Sequence, residues 1–306
     1  MNEKKYIFCI PASDDFAVAA AVLIYSIKRK VKIAGECDFV VPYNNLSQEA
    51  MKFIEKAHSD VKFEKPKDSS FYSHIKGGLY GPGNHDCYLS FESFWQDGYK
   101  RSIYLDADML CIKDFSDIIL ENNKGFGWKS PNNALMVISD PYLGEKTYRE
   151  LIDIAVSYNT NNSMGDQDSA RMLFEGNNPR DITYYDQTYN FQHWGGGAKG
   201  SNEMFLALED EIKIIHYSGR RKPWGAPWDA GITRATNMNC IMYPNMVINS
   251  QACKLWYMYY EEFKMNSGLN NGPIEQYENK TGEIVIDTPA EYNQKFGVDT
   301  NLIKQN

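Results

Sequence analysis

Two rhythms of apolar and polar positions alternate along the first third of the chain and predict strands and helices in turn. Tyr6 to Ile10 is a short continuous apolar run, as in a strand covered on both faces. Phe16 to Lys28 then spaces apolar residues at helical intervals and ends on Lys28, Arg29 and Lys30. Cys37 to Val41 followed by Ser47 to Ala57 repeats the unit, with Ser47 as the expected N-cap, and Val61 to Phe63 is a third short strand. Phe91 to Gly98 reads as a helix feeding the apolar strand that ends at Asp106. Farther on, Ala134 to Ile138 predicts another strand, Asp140 and Pro141 break it, and Glu145 to Val156 predicts a helix. Such alternation implies an α/β fold with a mostly parallel sheet covered by helices, whose ligands bind beyond the carboxyl ends of the strands. Asp14, Asp15, Asp106 and Asp108 all fall at such ends.

Elsewhere the pattern loosens. Asp68 to Asp86 is rich in Ser, Gly and polar residues and reads as a long loop, of a length that is often functional. From Gly195, Gly196 and Gly197 onward the periodicity weakens, although Ile212 to Ile215 is a strand candidate. Ser250 to Lys264 is the last clear helix, with Leu255, Trp256, Tyr259, Tyr260 and Phe263 on a broad aromatic face. Its flanks lack the Lys/Arg face of an interfacial helix, so packing against the main domain is the favoured reading. The sequence has no internal repeat.

Composition narrows the function classes. With 306 residues, 43% hydrophobic and 14% aromatic, the chain can bury a large core as one big domain or two closely joined ones. A formal net charge of -8 argues against nonspecific adhesion to nucleic acid or to an anionic membrane, and leaves at most peripheral membrane contact. The six cysteines form no CxxC pair, and Cys9 and Cys111 sit inside apolar runs, which suits a reduced, cytoplasmic protein. No run approaches the roughly 20 apolar residues of a membrane span, and the opening apolar stretch is too short for a signal peptide's core.

The chemistry begins at Asp106-Ala107-Asp108. Two carboxylates spaced i and i+2 at a strand end can converge on one cation, and a hard divalent metal that also grips phosphates would relieve their repulsion. Such triplets also occur as plain solvated turns. His216 to Trp224 adds an imidazole able to complete a metal shell, Gly219, which permits close backbone approach to a phosphate, and Lys222, which neutralises one as a point charge. Arg220 and Arg221 read as solvated surface charge. Asp166-Gln167-Asp168 opens a helix, where one acidic residue can simply cap the N-terminus. Asn132 and Asn133 place amides before a buried strand, either to hydrogen-bond sugar hydroxyls or to form a turn.

Taken together and in order from about Tyr6 to Trp224, these pieces resemble glycosyltransferase family eight, the group containing glycogenin and bacterial lipopolysaccharide galactosyl- and glucosyltransferases. Ala12 to Phe16 is similar to the uridine-binding first loop, and Tyr104 to Asp108 to the Asp-x-Asp metal motif. Asn132 to Ala134 is similar to Asn-x-Gly, Asp166 to Asp168 to Asp-Gln-Asp, and Thr188 to Asn190 to the Tyr-Asn element. His216 to Trp224 is similar to the His-x-x-Gly-x-x-Lys-Pro-Trp loop.

The resemblance implies a GT-A fold, a Rossmann-like and mostly parallel central sheet flanked by helices. The catalytic domain would span 1–235, with a small helical and irregular extension, 236–306, packing on it and contacting the acceptor. It further implies a retaining, metal-dependent hexosyltransferase that uses a UDP-sugar and Mn²⁺, with Mg²⁺ second. UDP-glucose or UDP-galactose would be the donor, and a glycan, glycolipid or protein the acceptor. Asp106, Asp108 and His216 would hold the metal, with Asp106 also near the ribose. Ala12, with Asp14 or Asp15, would meet the base, and Ala107 would line the nucleotide. Gly219 and Lys222 would contact the diphosphate. Asn132, Asn133 and Asp166 would meet the donor sugar, and Gln167 would lie near the anomeric carbon. Front-face attack, in which the leaving phosphate takes the acceptor's proton, is the expected route to retention, and a covalent intermediate on Asp166 or Asp168 is the alternative. Three features depart from the family pattern, one being a first loop one residue short, which leaves Asp14 and Asp15 competing for the base. Ala134 replaces its usual glycine, and Tyr88 to Phe91 offers no basic residue where the family carries Arg or Lys. A nucleotide-sugar hydrolase or nucleotidyltransferase would use the same phosphate clamp, and a non-catalytic sugar-nucleotide-binding protein would keep part of it. A homo-oligomer is compatible with the sequence.

Overall fold

A computed structural model describes residues 5–75, 86–121, 124–129, 132–158, 164–192, 204–205, 207–218, 222–224 and 250–269. Its first half alternates as the periodicity predicts: β1 (Tyr6–Cys9), α1 (Ala17–Lys30), β2 (Cys37–Pro42), α2 (Gln48–Glu55) and β3 (Lys62–Glu64). Ser47 caps α2, its side chain accepting from the Ala50 N–H, a contact worth about 1 kcal/mol. The basic end of α1, Lys28 to Lys30, complements the partial negative charge of the helix terminus.

Between β3 and β4 (Arg101–Leu105) the sequence reading needs revision. The expected long loop contains a short helix, α3 (Ser69–His74), capped by Asp68 through the Phe71 N–H. The helix expected over 91–98 is a 3-10 helix at Asp86–Phe94. Tyr88, Leu89, Phe91 and Phe94 are all buried there, so apolar packing and not α-helical periodicity sets its position. After β4 come β5 (Met109–Cys111), α4 (Ser116–Leu120), β6 (Phe126–Trp128), β7 (Leu135–Ile138), α5 (Glu145–Ser157) and α6 (Asp166–Glu175). β8 (Thr183–Tyr184), β9 (Phe191–Gln192), β10 (Ile214–His216) and α7 (Ser250–Asn266) complete the described elements.

The main sheet has seven strands in the order β3-β2-β1-β4-β7-β6-β8. β1 pairs in parallel with both β2 and β4, β2 with β3 and β6 with β8, while β7 runs antiparallel to β4 and β6. Both faces are covered, which explains the unbroken apolar runs. Phe8, Ile103, Leu105, Leu135 and Val137 point into a core shared with α1 and α7; Ile7, Cys9, Tyr104, Met136 and Ile138 point into a second core with α5 and α6. Because β1 sends the chain towards β2 on one side and has β4 on the other, the sheet order reverses there. A crevice opens at the carboxyl ends of β1 and β4. A second sheet, β5-β10-β9, stands beside this crevice and carries β10 antiparallel to β5. Among the described residues, no helix is long and apolar enough to cross a membrane.

Candidate active site

Asp106 leaves the end of β4 with its N–H still bonded to the Ala134 carbonyl, 2.9 Å, and a tight turn follows in which the Met109 N–H bonds back to the Asp106 carbonyl, 3.2 Å. Asp106 and Asp108 therefore converge through this turn and not through strand alternation. The strand alternation operates instead between Tyr104 and Asp106, whose side chains meet as the buried Tyr104 hydroxyl donates to Asp106 Oδ1 at 2.6 Å. His216 arrives from the second sheet. Its register opposite Met109 sets the imidazole beside the turn, and the Tyr217 N–H donates to the Asp108 carbonyl at 2.8 Å. One ligand atom each from Asp106, Asp108 and His216 lies within 4.8 Å of the others.

His216 Nε2 stands 3.2 Å from Asp108 Oδ1 and 3.7 Å from Asp106 Oδ2. Lys222 Nζ donates to Asp108 Oδ2 at 2.5 Å and to the Tyr217 carbonyl at 2.6 Å. The charge balance is uneven. Burial pushes the Asp106 carboxyl up and the Asp108 charge adds to the shift. For Asp108, burial works the same way, but Lys222 and, when its ring carries the second proton, His216 outweigh it and hold the carboxyl well below its usual range. One buried carboxylate, one part-exposed carboxylate and a buried imidazole, with no thiolate, form a donor set that fits a hard or borderline divalent cation.

Asp166 opens α6 beside this cluster. Gly165, the residue before it, holds φ 65° and ψ -128°, a conformation open in practice to glycine, and so sets the direction in which Asp166 enters the helix. Asp166 Oδ2 accepts from Ser90 Oγ at 2.8 Å and from Asn133 Nδ2 at 3.0 Å. Burial raises the Asp166 carboxyl to about 7; Asn133 opposes the shift and the Asp106 charge adds to it. Its partner in the motif points elsewhere. Asp168 Oδ2 accepts the Met164 N–H and Oδ1 meets Arg171 Nη2, both at 2.8 Å, so Asp168 is the acidic residue that ties down the helix entry. Gln167 is half-buried on the same first turn.

The first loop is also resolved into roles. Asp14 Oδ1 accepts the Ser47 N–H at 2.7 Å and is thereby committed to the start of α2. Burial raises the Asp15 carboxyl, and the Asp15 carbonyl accepts from Trp224 Nε1 at 3.1 Å. Ala12 is buried, its N–H on the Pro42 carbonyl, and Ala107 is buried in the metal-motif turn. Asn132 is engaged within the fold, its Oδ1 accepting the Ala134 N–H and Asn190 Nδ2. Gly219, Arg220 and Arg221 lie outside the described residues. Sequence reasoning did not single out Ser90 as a partner of Asp166; only its place where a basic residue was expected marked the position. Nor did it give Asn190 a role, although Asn190 Oδ1 lies 2.9 Å from His216 Nδ1.

No family model matches the chain. Glycogenin-1 of Mus musculus is 23% identical over 254 residues, spanning 81% of this chain and 73% of that protein. The galactosyltransferase LgtC, solved in complex with donor and acceptor sugar analogs, superposes with a TM-score of 0.58 at 15% identity, over 90% of this chain and 99% of LgtC. The glycosyltransferase GlyE of Streptococcus pneumoniae gives a TM-score of 0.53 at 17% identity, over 93% of this chain and 66% of GlyE. The fold is that of the GT-A glycosyltransferases, and the sequence relative and structural neighbours support a glycosyltransferase of the family-eight type.

Proposed function

We propose that the protein is a retaining, metal-dependent hexosyltransferase that takes glucose or galactose from a UDP-sugar and gives it to a glycan, glycolipid or protein acceptor. The observation that carries this reading is the convergence of Asp106, Asp108 and His216 at the switch point of the sheet, with Lys222 on one side and Asp166 on the other. Asp106, Asp108 and His216 would hold Mn²⁺, with Mg²⁺ the second choice, and the bound cation would neutralise charge on the donor diphosphate. Lys222 adds a second positive charge where the departing UDP gains negative charge, which stabilises the transition state more than the ground state. Asp15, whose carboxylate is not spent on α2 as Asp14 is, meets the base, while Ala12 and Ala107 bring backbone close to the nucleoside. Gly219, by its place in the His216 to Trp224 motif, would meet the diphosphate together with Lys222.

At the sugar end, Asp166 accepts from donor hydroxyls, held by Ser90 and Asn133, and Asn132 supports that wall. Gln167 lies near the anomeric carbon, but a carboxamide is a poor nucleophile; Asp168 is spent on Arg171 and the Met164 N–H, and Asp166, raised to about 7 by burial, is engaged by Ser90 and Asn133. Front-face substitution therefore suits the site better than a covalent intermediate. The acceptor oxygen bonds to the anomeric carbon on the face that UDP leaves, and the acceptor's proton passes to the departing phosphate oxygen.

The test is donor hydrolysis, which needs no acceptor. UDP-glucose, UDP-galactose, UDP-N-acetylglucosamine and UDP-glucuronate are incubated with and without Mn²⁺, and release of UDP is followed. Mn²⁺-dependent release from one hexose donor is expected, lost in Asp108→Asn with the fold intact by circular dichroism. Full activity in that variant, or release of UMP in place of UDP, would sink the assignment.

A further inference from the structure

Behind the imidazole of His216 runs a short chain of amides whose hydrogen-bond directions are all fixed by one backbone group. The Ala134 N–H can only donate, and it meets Asn132 Oδ1 at 3.2 Å, so that atom is the carbonyl oxygen and not the amide nitrogen. The same oxygen faces the terminal amide of Asn190 at 2.8 Å, which must therefore present its NH₂. The Asn190 carbonyl oxygen is left to face His216 Nδ1 at 2.9 Å, and an oxygen acceptor there requires Nδ1 to carry the proton. Asn190 and His216 are buried and Asn132 is half-buried, so water does not readily substitute at the imidazole end of the chain.

We propose that Asn190 and Asn132 form an amide relay that sets the tautomer of His216, protonated at Nδ1, so that Nε2 presents its lone pair towards Asp106 and Asp108. Both residues act through His216 and are positioning residues. The inference rests on the reading of Asp106, Asp108 and His216 as a metal site, because an unprotonated Nε2 beside two carboxylates is a ligand geometry. Without the relay the neutral ring is free to place its proton on Nε2, where Asp108 Oδ1 at 3.2 Å would accept it and the lone pair would face away from the cluster. The relay also links the entry to β7 with β10, since Asn132 bonds to Ala134, the residue just before β7, and Asn190 precedes β9, the neighbour of β10.

Two measurements test it separately from the metal reading. First, long-range ¹H–¹⁵N NMR of His216 in chelator-treated protein, recorded as a pH series, reports directly which ring nitrogen carries the proton of the neutral form. The wild type should show the proton on Nδ1, and Asn190→Leu should move a substantial share to Nε2. Asn132→Asp keeps an oxygen acceptor for Ala134 and Asn190 and should retain the wild-type pattern, whereas Asn132→Leu should not. Second, Mn²⁺ affinity from the electron paramagnetic resonance signal of free Mn²⁺ should fall about 10–100-fold in Asn190→Leu, the usual effect of losing an outer partner of a metal-bound histidine. A wild-type ring protonated on Nε2, or an unchanged tautomer in Asn190→Leu, would overturn the relay. A correct tautomer in a wild-type protein that binds no Mn²⁺ would overturn the metal reading and leave the relay standing. If Asn190→Leu does not fold, the Asn132→Asp and Asn132→Leu pair decides the question.

Discussion

Lys222 and a divalent cation compete for one carboxylate. The ammonium sits 2.5 Å from Asp108 Oδ2 and 5.7 and 5.9 Å from the ring centroids of Phe16 and Trp224, and Lys222→Met keeps an apolar chain of similar length while removing the charge. The variant should bind Mn²⁺ more tightly in the absence of nucleotide, on the order of tenfold for the loss of one like charge a few ångströms away, and should bind UDP more weakly. Titration calorimetry showing weaker or equal Mn²⁺ binding would contradict this. Asp166 gives a pH-dependent counterpart. Its carboxyl is raised from 3.8 to about 7 in the fold, so the native state holds the proton more tightly than the unfolded chain does. The ionised form therefore costs stability, fully above about pH 7, and the cost fades as pH falls from about 7 towards 3.8. Asp166→Asn, whose carbonyl can still accept from Ser90 and Asn133, should melt higher than the wild type at pH 8 in chelator, with the gap closing by about pH 4. Equal melting temperatures across that range would refute the shift. At this scale the sequence was most legible where residue type alone carries chemistry: Asp106, Asp108, His216 and Lys222 do meet. It was least legible where a role depends on which partner a carboxylate or amide finds. Nothing in the linear order separates Asp14, bound to the start of α2, from Asp15, or Asp168, bound to Arg171, from Asp166.

Among the elements, the entry to α6 shows how one backbone conformation aims a functional side chain. Gly165 at φ 65° and ψ -128° turns the chain so that Asp166 enters beside Asn133 and Ser90. Gly165→Ala puts a Cβ into a conformation that L side chains rarely adopt, at a cost of about 1–3 kcal/mol. The variant should lower the unfolding free energy in urea by that amount and reduce donor hydrolysis through misplacement of Asp166; unchanged stability would show that the turn relaxes freely. The repeated strands and helices of the first half were readable because β1, β2 and β4 are buried on both faces and α1 is buried along nearly its whole length. The 3-10 helix Asp86–Phe94 was misplaced, because the three-residue spacing of Tyr88, Phe91 and Phe94 is shared by both helix types and the core they fill decides between them. β10 was placed two residues early for a related reason: the apolar run begins at Ile212, but pairing with β5 selects Ile214–His216 and brings the histidine into the strand itself.

On the scale of the molecule, α7 reaches back from the far end of the described chain to the wall behind the site. Ala252, Trp256, Tyr260 and Phe263 belong to the same core as β1, β4 and α1, and the Tyr217 hydroxyl donates to the Ala252 carbonyl at 2.5 Å. An aromatic series then runs from the helix to the crevice: Tyr260 stacks on Trp256, Trp256 lies 5.5 Å from Trp224, and Trp224 lies 5.7 Å from Phe16. Lys222 rests over both Phe16 and Trp224, so the ring of Trp256 supports the side chain that neutralises Asp108. The aromatic face read from 250–264 is thus spent inwards, on the main core, and we propose that α7 is a structural part of the site as well as a neighbour to it. Trp256→Ala removes a fully buried ring and should cost about 3–5 kcal/mol of stability. Trp256→Phe keeps much of the stacking and should cost far less. The distinguishing readout is UDP affinity measured well below the melting temperature of each variant. If α7 supports Lys222, nucleotide binding should weaken in Trp256→Ala and recover in Trp256→Phe. If the helix only fills the core, both folded variants should bind UDP as the wild type does.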